Sequence, residues 1–146
     1  MKKRAISTVV FLLYSIICSA EELQENCIQG SVDLEPGISQ VLKENNNSAL
    51  FIYIRELGRE SGVPSAVITI DNPVYPQDFM LCGEDQMLRG RKARALEDTY
   101  KVFARHSPTG IPMKKEGFIG DSLGADGKGV RAGEQVRVII DRQYGK

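Results

Sequence analysis

Short runs of β-branched and aromatic residues recur along the chain, and turn-forming residues separate them. The strongest run is A-L-F-I-Y-I-R at residues 49–55, whose nearly continuous apolar pattern is typical of a central β-strand. Similar runs occupy residues 28–34, 64–70, 75–81, 99–105 and 135–141. Between them, Ile38, Val41 and Leu42 have helical spacing and predict one short turn of helix.

Evenly spaced strands without long amphipathic helices indicate an all-β fold, either a sandwich or a barrel. We expect an antiparallel β-sandwich of about seven strands, with a Greek-key order of the cupredoxin or immunoglobulin kind. A chain of 146 residues suits one domain with a substantial apolar core.

The beginning of the chain has the pattern of a secretory signal peptide, which we assign to residues 1–20. M-K-K-R is basic, residues 5–17 are almost wholly apolar, and C-S-A then precedes two glutamates. The apolar run is shorter than the ~20 residues that a membrane-spanning helix needs. We expect cleavage after Ala20, which leaves residues 21–146 as a single exported domain in the periplasm of a Gram-negative envelope.

A lipoprotein signal is the alternative interpretation of the same segment. In that case Cys18 is acylated and becomes the first residue of an anchored protein. Ile17 departs from the lipobox pattern, because the residue before the modified cysteine is normally small. We therefore expect contact with a membrane only if Cys18 is lipidated or the signal is retained.

Cleavage after Ala20 would leave Cys27 and Cys82 as an even pair in an exported protein. An oxidising compartment favours a disulfide between two such cysteines, and the sequence predicts one. The alternative is two free, buried cysteines that act as small hydrophobic residues. No cluster of histidine, cysteine or acidic residues near either has the spacing of metal ligands, so we expect no metal and no other cofactor.

The charge balance argues against nucleic acid as a partner. The full chain has 19 basic and 19 acidic residues, and the basic count falls to 16 when the three basic residues of the signal leave. A mildly acidic domain has no global electrostatic reason to bind nucleic acid or anionic lipid.

No pattern in the sequence indicates catalysis. His106 is the single histidine, and G-R-E-S-G at residues 58–62 departs from a nucleophile elbow. G-A-D-G-K-G at residues 124–129 lacks the spacing of a phosphate-binding loop and is typical of a surface turn. Because no nucleophile is paired with a base, we expect a binding protein and no enzyme.

One basic cluster, R-G-R-K-A-R at residues 89–94, is a candidate for binding an acidic peptide or a phosphate group. The other interpretation is a solvated loop, since neighbouring acidic residues on both sides offset its charge.

The order of the short motifs resembles that of a known family. The chain reads I-Q-G-S-V-D-L-E-P, A-L-F-I-Y-I-R, G-V-P-S-A-V-I-T-I and F-M-L-C-G-E-D-Q-M, and then V-F-A-R-H-S-P-T-G, G-D-S-L-G and V-R-V-I-I-D. This order, from Ile28 to Asp141, is similar to the C-terminal periplasmic domain of the c-type cytochrome biogenesis protein CcmI, also called CycH. The resemblance implies a chaperone module that binds apocytochrome c and delivers it to the haem-ligation complex.

Capture of a peptide by such a fold would use a sheet edge or a groove between strands. The residues that we predict to contact the partner are Phe79, Met80, Met87, Arg89, Arg91, Lys92, Arg94 and Tyr100. Phe79 and Tyr100 suit a core position equally well. The alternative function is an exported envelope or host-facing interaction protein that has the same sandwich and no link to haem proteins.

Overall fold

The structure is a computed structural model, and it describes residues 25–42, 47–59, 61–87 and 95–145. The predicted signal segment and the basic residues Arg89, Arg91, Lys92 and Arg94 lie outside the described residues. Within these ranges the chain forms β1 (Cys27–Leu34), α1 (Pro36–Val41), β2 (Ala49–Glu56), β3 (Ala66–Asp71), β4 (Gln77–Cys82), β5 (Tyr100–Ser107), β6 (Phe118–Ser122), β7 (Gln135–Ile140) and β8 (Arg142–Gln143).

The strands form two sheets, with the orders β4-β1-β7 and β3-β2-β5-β6-β8. The all-β sandwich predicted from the sequence is confirmed. Neighbouring strands are antiparallel except β1 and β7, which run parallel. The sequence pattern did not predict this parallel pair, because side-chain alternation identifies the two faces of a strand and says nothing of its direction.

The six predicted runs all become strands, and the predicted helical turn becomes α1. The strands β6 and β8 were not predicted. The sequence of β6 is F-I-G-D-S, whose apolar alternation is too short to indicate a strand. Its Gly120 lies against the backbone of β7, where a Cβ atom would stand 1.9 Å from the carbonyl oxygen of Ile139. This close approach joins the two sheets at one corner of the sandwich.

The core lies between the inward faces of the two sheets. In β7 the burial alternates strictly, so that the side chains of Val136, Val138 and Ile140 are buried. Removing branched side chains from water stabilises the fold by ~25 cal/mol per Å² of apolar surface. The other strands contribute Ile28, Val32, Leu50, Ile52, Ile54, Phe79, Leu81, Tyr100, Val102 and Ala104 to the same cluster.

The predicted disulfide is confirmed. Cys27 lies directly opposite Cys82 in the antiparallel register of β1 and β4, and the two are bonded with their Cα atoms 4.0 Å apart. Both side chains are buried. The bond links the first strand to β4, whose backbone has a strand neighbour on one side only among the described strands. Such a bond is compatible with an exported protein.

No helix in the described ranges is long and apolar enough to cross a membrane.

Candidate interaction site on the hairpin between strands β5 and β6

The outer face of the five-stranded sheet has aromatic and cationic side chains at adjacent positions. The register places Tyr53 opposite Phe103 and Phe51 opposite Arg105. The rings of Tyr53 and Phe103 stack with their centroids 5.0 Å apart, and the Lys101 Nζ atom lies 5.4 Å from the centroid of Phe103. A face of this kind differs from the polar outer face that an antiparallel sheet usually presents to water.

Arg105 is the central residue of this face, and only 5% of it is exposed. Its Cζ atom lies 5.0 Å from the ring centroid of Phe51 and 4.7 Å from that of Tyr144, so the guanidinium has an aromatic contact with each. The same group donates hydrogen bonds to the carbonyl oxygens of Pro112, at 2.7 Å, and Lys114, at 3.3 Å. Arg105 therefore connects the sheet to the loop that joins β5 and β6.

Further hydrogen bonds order this loop, residues 108–117. The Gly110 N–H donates to Ser107 Oγ at 3.1 Å, and the Thr109 hydroxyl donates to the Glu116 carboxylate. Lys114 Nζ lies 3.1 Å from a carboxylate oxygen of Glu116. The Thr109 hydroxyl, followed by Lys114, holds the pKa of Glu116 below its ordinary value, so this carboxylate stays charged and the loop keeps its ion pair.

The loop ends in an apolar tip formed by Ile111, Pro112 and Met113, which we call the 111–113 tip. The side chain of Ile111 is 50% exposed and that of Met113 is 90% exposed. Lys114 and Lys115 follow immediately, and both are exposed. The hairpin thus exposes the apolar side chains of Ile111 and Met113 next to two lysines. Arg105 holds the backbone of this segment through its hydrogen bonds to the carbonyl oxygens of Pro112 and Lys114.

The partner-binding residues predicted from the sequence lie in different environments. Phe79 and Tyr100 are 7% and 3% exposed and belong to the core cluster. Met80 is 50% exposed on β4, where it accepts a hydrogen bond from Gln29, and Met87 is 44% exposed beside the beginning of β3. The role of these residues in binding stays a prediction.

Sequence reasoning missed the 111–113 tip. The residues I-P-M-K-K at 111–115 were assigned no role in the sequence analysis. Two apolar side chains inside a Pro- and Gly-containing turn, followed by two lysines, are the signal that could have indicated it. The partners of Arg105 had no such signal, because Phe51 and Tyr144 are remote from it along the chain.

The one histidine is buried and contacts a tyrosine hydroxyl. His106 is 6% exposed, and its Nδ1 atom lies 2.6 Å from the hydroxyl oxygen of Tyr75. Burial raises the pKa of Tyr75 and lowers the pKa of His106. Tyr75 therefore keeps its proton, and its hydroxyl donates a hydrogen bond to Nδ1 of a neutral imidazole whose own proton is on Nε2.

We expect this pair to make the protein less stable in acid. The folded-state pKa of His106 lies below the ordinary value of 6.5, so the unfolded chain binds more protons between these two values. The free energy of unfolding should fall as the pH drops through 6.5 towards the folded-state pKa, and this contribution should level off below it. Urea titrations between pH 8 and pH 4.5 would measure the slope, with His106→Gln as the variant that cannot titrate. Equal slopes for both proteins between pH 7 and pH 5 would contradict the assignment.

Among the residues that the structure describes, no three histidine, cysteine or acidic side chains lie close enough together to bind a metal ion.

Comparison with known proteins gave one structural likeness. No family model matches the chain, and no curated protein matches it. The chain is similar to a solved structure of an alternative pilotin from the type II secretion system of Vibrio cholerae, with 18% sequence identity and a TM-score of 0.49. The alignment covers 82% of this chain and 97% of the pilotin.

The resemblance to the cytochrome c biogenesis family is wrong. Neither a family model nor a curated protein supports it, and the solved structure that matches is a secretion pilotin instead of a cytochrome-maturation protein. The physical reason lies in the motifs themselves. Each consists of strand and turn residues, whose order describes a sandwich and contains no partner-specific contact.

Proposed function

We propose that this chain is an exported interaction protein without catalytic activity, and that it binds a protein partner of the cell envelope through the 111–113 tip. The observation that carries the proposal is the buried Arg105, whose hydrogen bonds fix the loop that exposes Ile111 and Met113. The confirmed disulfide and the signal-like beginning of the chain support export.

The arrangement of Arg105 distinguishes this tip from scattered apolar residues, which are normal on protein surfaces. Burying an arginine costs several kcal/mol unless hydrogen bonds and charge partners compensate it. Here the compensation comes from Phe51, Tyr144 and two carbonyl oxygens of the loop. The fold thus uses a costly buried group to order a loop in which the side chain of Met113 is 90% exposed.

An ordered loop is suited to binding because it has little conformational entropy left to lose when a partner arrives. Met113 adds an unbranched side chain that adapts to irregular apolar surfaces. Lys114 and Lys115 favour a partner with acidic residues near its apolar pocket, since complementary rim charges increase the association rate. The partner chemistry that fits is an apolar pocket beside carboxylates.

Site-specific photo-crosslinking tests the proposal. A benzophenone amino acid would replace Met113 in the full chain, expressed in the cells that normally make it, and Asp126 would be replaced in a matched control because it is exposed on a different loop. We expect a discrete crosslinked adduct from position 113 that is absent from position 126. Adducts from neither position, or the same adducts from both, would contradict the proposal.

Affinity for the crosslinked partner should depend on the apolar character of the tip. Met113→Glu removes an apolar contact worth ~1.5–3 kcal/mol and should weaken binding by ~10–100-fold. Met113→Leu preserves apolar volume and should bind within a few fold of the original chain. Titration calorimetry with the purified partner measures both variants, and equal affinities would exclude Met113 as a contact.

A further inference from the structure

Part of the outer face of the five-stranded sheet is accessible beside the buried Arg105. Tyr53 and Phe103, the next outward pair in the register of β2 and β5, are half-buried. Arg55 and Lys101 are the outward pair after that, and both are half-buried as well. Side chains alternate between the two faces of a strand, so these two pairs lie next to each other on the same face. We call these two pairs the aromatic–cation patch.

The two aromatic rings of the patch cover each other. The ring planes of Tyr53 and Phe103 differ by 5°, and the stacking leaves ring edges towards solvent. The edge of an aromatic ring is the positive part of its quadrupole, and the face is the negative part. Burial raises the pKa of Tyr53, so its hydroxyl keeps a proton that it can donate to an acceptor. Ring edges and a hydroxyl donor both favour an anionic, partly apolar ligand.

Cationic groups lie against both rings. The Arg55 Cζ atom is 5.5 Å from the ring centroid of Tyr53, and the Lys101 Nζ atom is 5.4 Å from that of Phe103. These cation–π contacts restrict where the charged groups can lie. The Arg55 guanidinium also donates a hydrogen bond to the carbonyl oxygen of Gly62, which is an uncharged acceptor. The patch therefore has apolar surface and positive charge at fixed positions.

Positive charge also exceeds negative charge on the surrounding sheet face. Asp121 lies opposite Phe103 in the register of β5 and β6, and its carboxylate is shared between Lys101, at 3.7 Å, and Arg142. The cationic side chains that the described strands direct to this face are Arg55, Lys101, Arg105 and Arg142, and the carboxylates are Asp71 and Asp121.

We propose that the aromatic–cation patch binds an acidic peptide segment of a partner protein. Carboxylates of the segment pair with Arg55 and Lys101, and an apolar side chain of the segment covers the exposed ring edges of Tyr53 and Phe103. The planar guanidinium of Arg55 matches the geometry of a carboxylate. This second site goes beyond the proposed function, because its residues are separate from the 111–113 tip.

The charge of the whole domain favours a short peptide over a large polyanion. After removal of the predicted signal segment the chain has 19 acidic and 16 basic residues. A nucleic acid or an anionic membrane would approach this acidic surface over a wide area and be repelled by it. The aromatic rings add apolar contact, which a free phosphate group cannot use. A short segment with both carboxylates and apolar side chains uses the whole patch.

Nuclear magnetic resonance titration of the purified protein, expressed as the full chain, tests the site. The probe is the blocked peptide acetyl-E-F-E-V-E-amide, and the control is acetyl-Q-F-Q-V-Q-amide, which has the same length and no charge. We expect saturable shifts of the backbone amide signals of residues 53–55 and 101–103 with the acidic peptide alone. No saturable shift, shifts centred on the 111–113 tip, or an equal response to the neutral peptide would overturn the inference.

Two double variants separate local charge from net charge. Arg55→Gln with Lys101→Gln should weaken binding of the acidic peptide by ~10-fold, the effect of two exposed ion pairs. Arg137→Gln with Lys128→Gln removes the same charge from exposed positions elsewhere. This control should bind within ~2-fold of the original chain, since salt screens distant charges. Melting curves establish that both variants are folded, and equal affinities of the two would contradict the assignment.

Two further measurements distinguish this site from its alternatives. Stronger binding of sodium tripolyphosphate than of the acidic peptide would show that the patch recognises phosphate, and would overturn the peptide assignment. Met113→Glu should bind the peptide as the original chain does, and loss of binding in this variant would move the site to the 111–113 tip. Failure of the peptide to bind leaves the crosslinking result at position 113 unaffected, so the two sites are tested separately.

Discussion

Replacing Cys27 and Cys82 by serine is expected to lower the free energy of unfolding by about 4 kcal/mol. The bond connects residues 55 positions apart, and in the chain-entropy description a crosslink of that span restricts the unfolded chain by this amount. In the folded protein the disulfide lies between β1 and β4, and β1 is the one strand neighbour of β4 in the described sheets. Both cysteines must be replaced, since a single serine leaves a free thiol.

Urea unfolding with linear extrapolation measures the change, and thermal unfolding should show a melting temperature lower by about 15 °C. Cys18→Ser is the matched control. If the predicted signal is removed, this change leaves the stability of the purified protein unaltered. A double serine variant that unfolds within about 1 kcal/mol of the original chain would show that the bond contributes little.

The second large effect is expected at Gly30, in the middle of β1. A Cβ atom at this position would stand 1.7 Å from the carbonyl oxygen of Val136 on β7. The ring of Phe79 also lies 3.2 Å away, so the strand has no space to shift towards β4. Gly30→Ala must separate the parallel pair β1–β7, and we expect a loss of about 3 kcal/mol or more in the free energy of unfolding.

Gly37→Ala is a control with the same chemical change, and we expect it to raise the free energy of unfolding where Gly30→Ala lowers it. Gly37 lies in α1, and a Cβ atom there meets nothing within 4 Å. Alanine should stabilise the helix by about 0.5–1 kcal/mol, because glycine loses more backbone entropy on folding. Chemical denaturation measures the free energy of unfolding of both variants. If Gly30→Ala were as stable as the original chain, the close contact between β1 and β7 would not exist in solution.

The strands could be predicted where the local pattern was strong. Alternation at residues 135–141 and the apolar run at 49–55 are properties of adjacent residues, and both became strands with nearly the predicted bounds. β6 escaped prediction because Gly120 and Asp121 interrupt its alternation. The need for glycine at position 120 follows from the carbonyl oxygen of Ile139, which lies beside it on β7, a strand that is distant in the sequence.

For function, too, some features could be predicted from the sequence and others could not. The pairing of Cys27 with Cys82 was predictable, since an even pair in an exported chain has one possible bond. The partner of the domain was not, and the resemblance to a cytochrome-maturation family followed strand and turn motifs that any sandwich needs. In the sequence, Met113 lies in a segment that has the composition of a turn. Only the contacts of Arg105 in the structure show that the 111–113 tip belongs to an ordered loop.

From the amino-acid order alone came the strand positions, the disulfide and the all-β class. These depend on a two-residue alternation and on a count of cysteines, both of which are local or compositional. The parallel pairing of β1 with β7, the burial of Arg105 between Phe51 and Tyr144, and the position of β3 at the end of its sheet depend on which strands become neighbours. Strand neighbours are chosen by packing between residues far apart in the chain, and no local pattern contains that information.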